Sequence, residues 1–342
     1  MYKLRLRKLF AIITLILMLI TNLSVHGIAS SRENAGKIIN VVYDDSRSMY
    51  LNNETRWCQA KYAMEVFCAM MSEEDTMNIF SMNRTDVLTV DGDDPDRVAK
   101  VHDMTSTYSG TPFSTVTMAG NALLSEDTSY ERWLVVLTDG SFDNTSQATV
   151  QSTLDGYNAN GIKTVYLAIG NNAVELQSNQ SAGAYAEKAS TTNDILSKVT
   201  SIANQIFEHQ VLNDNFIDYS DGTTLLNIDI PTSQIVIFAQ GEGASVGELT
   251  LNGRAILPTS LQNVKHSGDV MPLNDETIMV DTSLYGIVAT FEAENNPFES
   301  GQFAVSVSGA TTVEYYYRPG VTVNCELILN GNKVKSDEDL YA

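Results

Sequence analysis

Two textures divide the chain near residue 209. From Lys37 to Phe207, short apolar runs alternate with segments of helical period. Ile38–Tyr43 is a near-continuous apolar run broken at Asn40, which predicts a strand buried on both faces. Trp57, Ala60, Met64, Phe67 and Met71 then recur at helical spacing. Strands are predicted at Thr76–Phe80, Val87–Val90, Trp133–Leu137 and Thr164–Ile169. Helices are predicted over Val116–Leu124, around Val150, Leu154 and Tyr157, and along the stripe Ile195, Val199, Ile202 and Ile206. Alternation of this kind predicts an α/β domain with a mostly parallel sheet covered on both faces, over residues 36–208.

After His209 the helical period disappears. Leu225–Ile230, Gln234–Ala239, Glu248–Leu251, Ile287–Phe291 and Gln302–Val307 are short runs separated by Gly, Asn, Ser or Pro. Residues 209–320 therefore read as a β-rich, sandwich-like domain. Val321–Leu329 with a turn at Asn330-Gly331 predicts a further hairpin in 321–342. It either closes the β-domain or opens another. Tyr315, Tyr316 and Tyr317 form an aromatic patch or, more in keeping with a strand, pack on its faces.

Composition narrows the function. The 342 residues carry 42 acidic and 21 basic side chains, a formal charge of −21. Such a chain repels a phosphate backbone, so no nucleic-acid partner is expected. Lys3, Arg5, Arg7 and Lys8 precede the apolar run Leu9–Ile20, and Gly27-Ile28-Ala29 follows. This is the pattern of a secretory signal over 1–29, or of an N-terminal membrane anchor if uncut. Residues 1–29 hold four of the basic and none of the acidic side chains, so cleavage takes the charge to −25. The protein is expected to be exported, and secreted or held at the cell surface or membrane.

Cys58 and Cys68 lie ten residues apart in one predicted helix, about 15 Å at 1.5 Å per residue, too far for a disulfide. With Cys325 they are read as buried thiols. Asp91-Gly92-Asp93-Asp94-Pro95-Asp96 lacks the glycine and glutamate positions of an EF-hand and reads as a solvated loop. No G-x-S-x-G or H-E-x-x-H occurs, and no histidine stands in a motif that pairs it with a nucleophile, so no catalysis is expected.

One constellation carries chemistry. Asp44, Ser46 and Ser48 alternate in the loop directly after the first strand. Ser109-Gly110-Thr111-Pro112 precedes the Val116 helix, and Thr138-Asp139-Gly140 follows the Trp133 strand. Oxygen side chains at the C-terminal edge of a parallel sheet suit a hard divalent ion. Asp44, Ser46, Ser48, Thr111 and Asp139, in this order and context, resemble the metal-ion-dependent adhesion site of von Willebrand factor type A (VWA) domains. The resemblance covers about Gly36 to Glu208.

It implies a Rossmann-like VWA domain holding Mg²⁺ (or Mn²⁺), with Ser46 and Ser48 on the ion directly. Asp44, Thr111 and Asp139 would contact the ion directly or through water. Arg47 departs from the pattern, which commonly has a small residue there. Its guanidinium either weakens the ion's binding, with Asp45 as a local offset, or meets the partner, or points to solvent. The function implied is non-catalytic capture of a protein ligand presenting an acidic residue. The alternative is a docking subunit of a cell-envelope or membrane-anchored assembly.

Overall fold

The computed structural model describes residues 36–49, 56–82, 86–105, 110–140, 142–171, 173–273, 276–294, 296–320, 328–329 and 332–333, with the backbone alone over 267–283, 328–329 and 332–333. The signal or anchor at 1–29, Ser109, Cys325 and most of 321–342 lie outside the described residues.

The first half is built on a six-stranded sheet. Its strands are β1 (Lys37–Tyr43), β2 (Thr76–Ser81), β3 (Leu88–Asp91), β4 (Glu131–Thr138), β5 (Lys163–Ile169) and β6 (Ala184–Ala189). They lie in the order β3-β2-β1-β4-β5-β6. Every neighbouring pair is parallel except the β2–β3 hairpin at the edge. Among the described residues, α1 (Arg56–Ala69), α2 (Arg97–His102), α3 (Ser114–Leu124) and α4 (Gln147–Ala159) lie between these strands, and α5 (Asp194–Ile206) follows β6. Each periodic segment of the sequence is a regular element here. Ser146 caps α4, its side chain accepting from the Thr149 amide.

The central strands are apolar because both faces are covered. Ile39, Val41 and Tyr43 of β1 point into one core with Val135 and Leu137 of β4. Ile38 and Val42 point into a second core with Val116, Ala119 and Leu123 of α3. This period-2 division of a single apolar run is what a parallel sheet with helices on both faces requires.

The second half consists of two five-stranded sheets. One has the order β13 (Ser260–Leu273), β14 (Glu276–Glu292), β10 (Thr232–Gln240), β16 (Thr312–Pro319), β7 (Gln210–Val211). The other has the order β12 (Arg254–Ile256), β11 (Ser245–Leu251), β15 (Gly301–Ser308), β9 (Thr223–Ile228), β8 (Ile217–Ser220). Their pairings are antiparallel. Leu226, Ile235, Ile237, Phe291, Phe303 and Val305 fill the core between them. The chain is thus a mixed α/β fold with a mostly parallel sheet, followed by a β-rich part. Ile328–Leu329 pairs with Asn332–Lys333 around the expected turn.

The described residues belong to one compact unit. Its largest core runs across the change of texture: Trp57, Tyr62 and Phe67 of α1 share a cluster with Val236, Phe238, Val264, Val288 and Tyr316 of the β-rich half. Helix α1 is consequently buried on all sides, Lys61 and Glu65 included, and not along one stripe alone. At Gly286 of β14 the approach to α1 is close. A Cβ there would stand 2.8 Å from Tyr62 Oη and 3.0 Å from Phe238 Cε2. The tyrosine run divides between the two environments: Tyr315 lies in the sandwich core and Tyr316 in the shared core, both buried.

Polar groups also cross this junction. Arg97 Nη2 donates to Ser260 Oγ at 2.8 Å, and the Lys265 amide donates to Glu65 Oε2 at 2.8 Å. Beyond these, Gln234 Nε2 donates to Ser72 Oγ at 3.3 Å. Cys58 and Cys68 are buried and not disulfide-bonded, and burial pushes the Cys68 thiol up to about 12. No described helix is long and apolar enough to cross a membrane.

Candidate metal centre at the sheet's C-terminal edge

Strands β1 and β4 are parallel neighbours in register, Tyr43 opposite Leu137. Connections from β1 and β4 leave toward opposite edges of the sheet, so their C-terminal ends border the crevice where open α/β sheets receive ligands. The loops leaving them carry Asp44, Ser46 and Ser48 on one side and Thr138 and Asp139 on the other. The Asp44 amide continues the ladder by donating to the Leu137 carbonyl at 3.0 Å.

The loop side chains converge. Ser46 Oγ and Ser48 Oγ are 2.8 Å apart, and Ser48 Oγ donates to Asp139 Oδ1 at 2.7 Å across 91 residues of chain. The Ser46 amide donates to Asp44 Oδ1 at 2.9 Å, and Thr138 Oγ1 donates to Asp44 Oδ2 at 2.7 Å. Asp44, Asp45, Ser46 and Asp139 are all buried. Burial is the main reason the Asp44 carboxyl titrates above its ordinary value; the nearby Asp139 charge raises it further, while hydrogen bonds from Ser46 and Thr138 work against the rise.

Thr111 is buried in the adjoining loop. Its amide donates to Asp143 Oδ2 at 3.0 Å, and its carbonyl accepts the Asp143 amide at 2.9 Å. That double link holds Thr111 to the segment that carries Asp139. Gly110 belongs to the same arrangement, because a Cβ there would stand 2.5 Å from Asp143 Oδ2.

Arg47 and Asp45 lie apart from the cluster's hydrogen bonds. Arg47 is exposed. Asp45 turns from the cluster to accept the Met82 amide at 3.0 Å, tying the loop to the end of β2. The basic group that meets the site is Arg56, at the first turn of α1. Its Nη1 donates to Asp139 Oδ2 at 2.8 Å, with the Asp139 side chain fully buried. Arg56, Thr138 and Asp143 are site residues that spacing did not single out. Thr138 alone had a local signal, standing beside Asp139 at the strand end.

The donor set suits a hard ion. Two serine hydroxyls and two carboxylates, one of them paired with Arg56, gather oxygen donors of the kind that a hard divalent ion prefers. Among the described residues no group of three or more His, Cys, Asp or Glu converges as a metal site, so the candidate centre depends on hydroxyl oxygens.

No family model matches the chain, and no curated protein matches it. Solved structures to which the chain is similar include proximal thread matrix protein 1 from the mussel byssus with a zinc-occupied MIDAS motif. It has 13% identity and a TM-score of 0.39, covering 52% of this chain and 49% of that one. Another is a von Willebrand factor type A protein from Catenulispora acidiphila, with 10% identity, TM-score 0.40, and coverage of 86% and 61%. The pilus adhesin SpaC from Lactobacillus rhamnosus GG has 10% identity, TM-score 0.38, and coverage of 84% and 45%. The chain spans about half the length of the mussel protein.

Proposed function

We propose that this is an exported, non-catalytic VWA-type binding protein that captures a protein ligand through a divalent ion. The ion, Mg²⁺ or Mn²⁺, would be held by Asp44, Ser46, Ser48, Thr111 and Asp139. The observation that carries the reading is the convergence of Asp44, Ser46, Ser48 and Asp139 from two loops at the C-terminal ends of β1 and β4. A bound ion supplies a Lewis-acidic position at which a carboxylate of the partner can complete the coordination shell.

The residues themselves do the rest. Thr138 and the Ser46 amide fix the Asp44 carboxylate in the loop, and Asp143 positions Thr111. Few direct carboxylates leave the ion's charge partly unneutralised, which is what makes an acidic partner attractive. The β-rich half, fused to α1 through a common core, gives that site a rigid base.

In a pull-down from cell-surface extracts, the wild-type chain is expected to retain its partner in Mg²⁺ and lose it in EDTA. The Asp44→Ala variant should lose it in both while keeping its circular dichroism spectrum. Equal retention in Mg²⁺ and EDTA would contradict the reading.

The charge of −21 adds a kinetic signature. Long-range repulsion slows the approach of an acidic partner, and attraction is confined to the immediate surroundings of the ion. Raising salt from about 20 to 200 mM is expected to increase the association rate in surface plasmon resonance, opposite in sign to steered association between unlike charges. A rate that falls steeply with salt would point to a basic partner instead.

A further inference from the structure

Both oxygens of Asp139 are already engaged. Ser48 Oγ donates to Oδ1 at 2.7 Å, and Arg56 Nη1 donates to Oδ2 at 2.8 Å. The guanidinium is largely sheltered from solvent and the carboxylate fully so. Where the pair is placed matters as much as its length. Arg56 opens α1, the helix locked between the sheet and the β-rich half, so its backbone is anchored by a shared core.

The guanidinium lies against Gly170, which directly follows β5 with φ +93°. A Cβ at that position would stand 2.9 Å from Arg56 Nη2 and 3.0 Å from Cζ. The bare Cα of Gly170 is thus part of the seat in which the guanidinium reaches Asp139. A charged, planar donor in a fitted seat is a built feature of the site, unlike the exposed Arg47.

We infer that Arg56 is an internal cation of the metal centre: it neutralises Asp139 when no ion is bound and competes with the ion for that carboxylate. This inference rests on the metal-binding reading above. A guanidinium on Asp139 and a divalent ion beside it repel each other at short range in a buried setting, where screening is weak. Loading must therefore weaken the Arg56–Asp139 pair. The empty site is held in shape, and its affinity for the ion is held down. A guanidinium released from Asp139 is also placed at the site's rim, where a partner carboxylate would arrive.

The test is calorimetric titration of Mg²⁺ into the mature wild-type chain and its Arg56→Gln variant, with thermal midpoints measured with and without the ion. The variant is expected to bind Mg²⁺ at least tenfold more tightly. Its metal-free form should melt below the wild type, and saturating Mg²⁺ should restore it. On the wild type itself, the Arg56 Nε–Hε resonance should shift on addition of Mg²⁺, a readout that needs no variant to fold. Affinity unchanged within twofold, or weaker in the variant, overturns the inference alone, as does an unmoved Arg56 resonance. Absence of Mg²⁺ and Mn²⁺ binding by both proteins overturns the metal reading and the inference with it.

Discussion

Replacing Phe238 by Ala is expected to destabilise the protein by about 3–5 kcal/mol and to leave both halves of the chain unfolding in one transition. Phe238 is fully buried on β10, in the β-rich half. It shares a core cluster with Tyr62, Met64 and Phe67 of α1 and with Val135 and Leu137 of the parallel sheet. Truncating the ring leaves a cavity in the core that the two halves share, and a well-packed core closes such cavities only in part. Gly286→Val should act similarly from the other side, by forcing a side chain into the space of Tyr62 Oη and Phe238 Cε2. Urea unfolding followed by Trp57 and Trp133 fluorescence reports the α/β half, and far-ultraviolet dichroism reports both halves. Coincident midpoints in wild type and variants are expected. Separate transitions, or a Phe238→Ala loss that spares the tryptophan signal, would contradict a shared core.

The second large effect is one of pH. Glu65 lies fully buried on α1, facing His102 of α2 with Oε1 3.0 Å from Nδ1, the Lys265 amide of β13, and Lys61 one turn back on its own helix. Burial pushes its carboxyl from the ordinary 4.5 up to about 7, against the lowering influence of those partners. Below pH 4.5 both folded and unfolded states carry the proton. Between 4.5 and 7 the unfolded chain gives it up while the folded chain keeps it, so stability falls as pH rises. Over that window the contribution amounts to about 3 kcal/mol. Denaturant titrations between pH 4.5 and 8 should show this decline, and Glu65→Gln should flatten it. A Glu65→Gln profile parallel to that of the wild type would mean the carboxyl is not held neutral at the junction.

Much of the α/β half was legible because its strands are buried on both faces. Ile38–Tyr43 and Trp133–Leu137 could only be interior strands, and Ile195, Val199, Ile202 and Ile206 mark one wet and one dry side of α5. Less visible was β6, Ala184–Ala189, an edge strand whose Glu187 and Lys188 remain part-exposed and break the apolar signal. The six-residue α2 is too short to show a period. Helix α1 shows the limit of periodicity most clearly. Its stripe was evident, but its burial all round follows from a β-rich half more than 150 residues later in the chain.

The site divides in the same manner. Asp44, Ser46, Ser48 and Asp139 could be found because each follows directly on a buried strand, where loop position is fixed by the sheet. Arg47 drew attention as a departure within the motif, yet its side chain is exposed. The arginine that touches the cluster stands 83 residues from Asp139, at the start of a helix placed by long-range packing. No local pattern encodes that meeting. It depends on where α1 is held, and hence on the junction that Phe238 and Gly286 form.

The central claim is that Asp44, Ser46, Ser48, Thr111 and Asp139 hold a divalent ion, and direct titration of Mg²⁺ into the purified mature chain tests it most simply. Isothermal calorimetry should show one ion bound per chain. Simultaneous Ser46→Ala and Ser48→Ala substitution removes both serine ligands without unpairing the Asp44 carboxylate from Thr138, and should abolish binding at millimolar Mg²⁺ while the fold persists. Equal Mg²⁺ binding by the doubly substituted chain, or none by the wild type with either Mg²⁺ or Mn²⁺, would contradict the account.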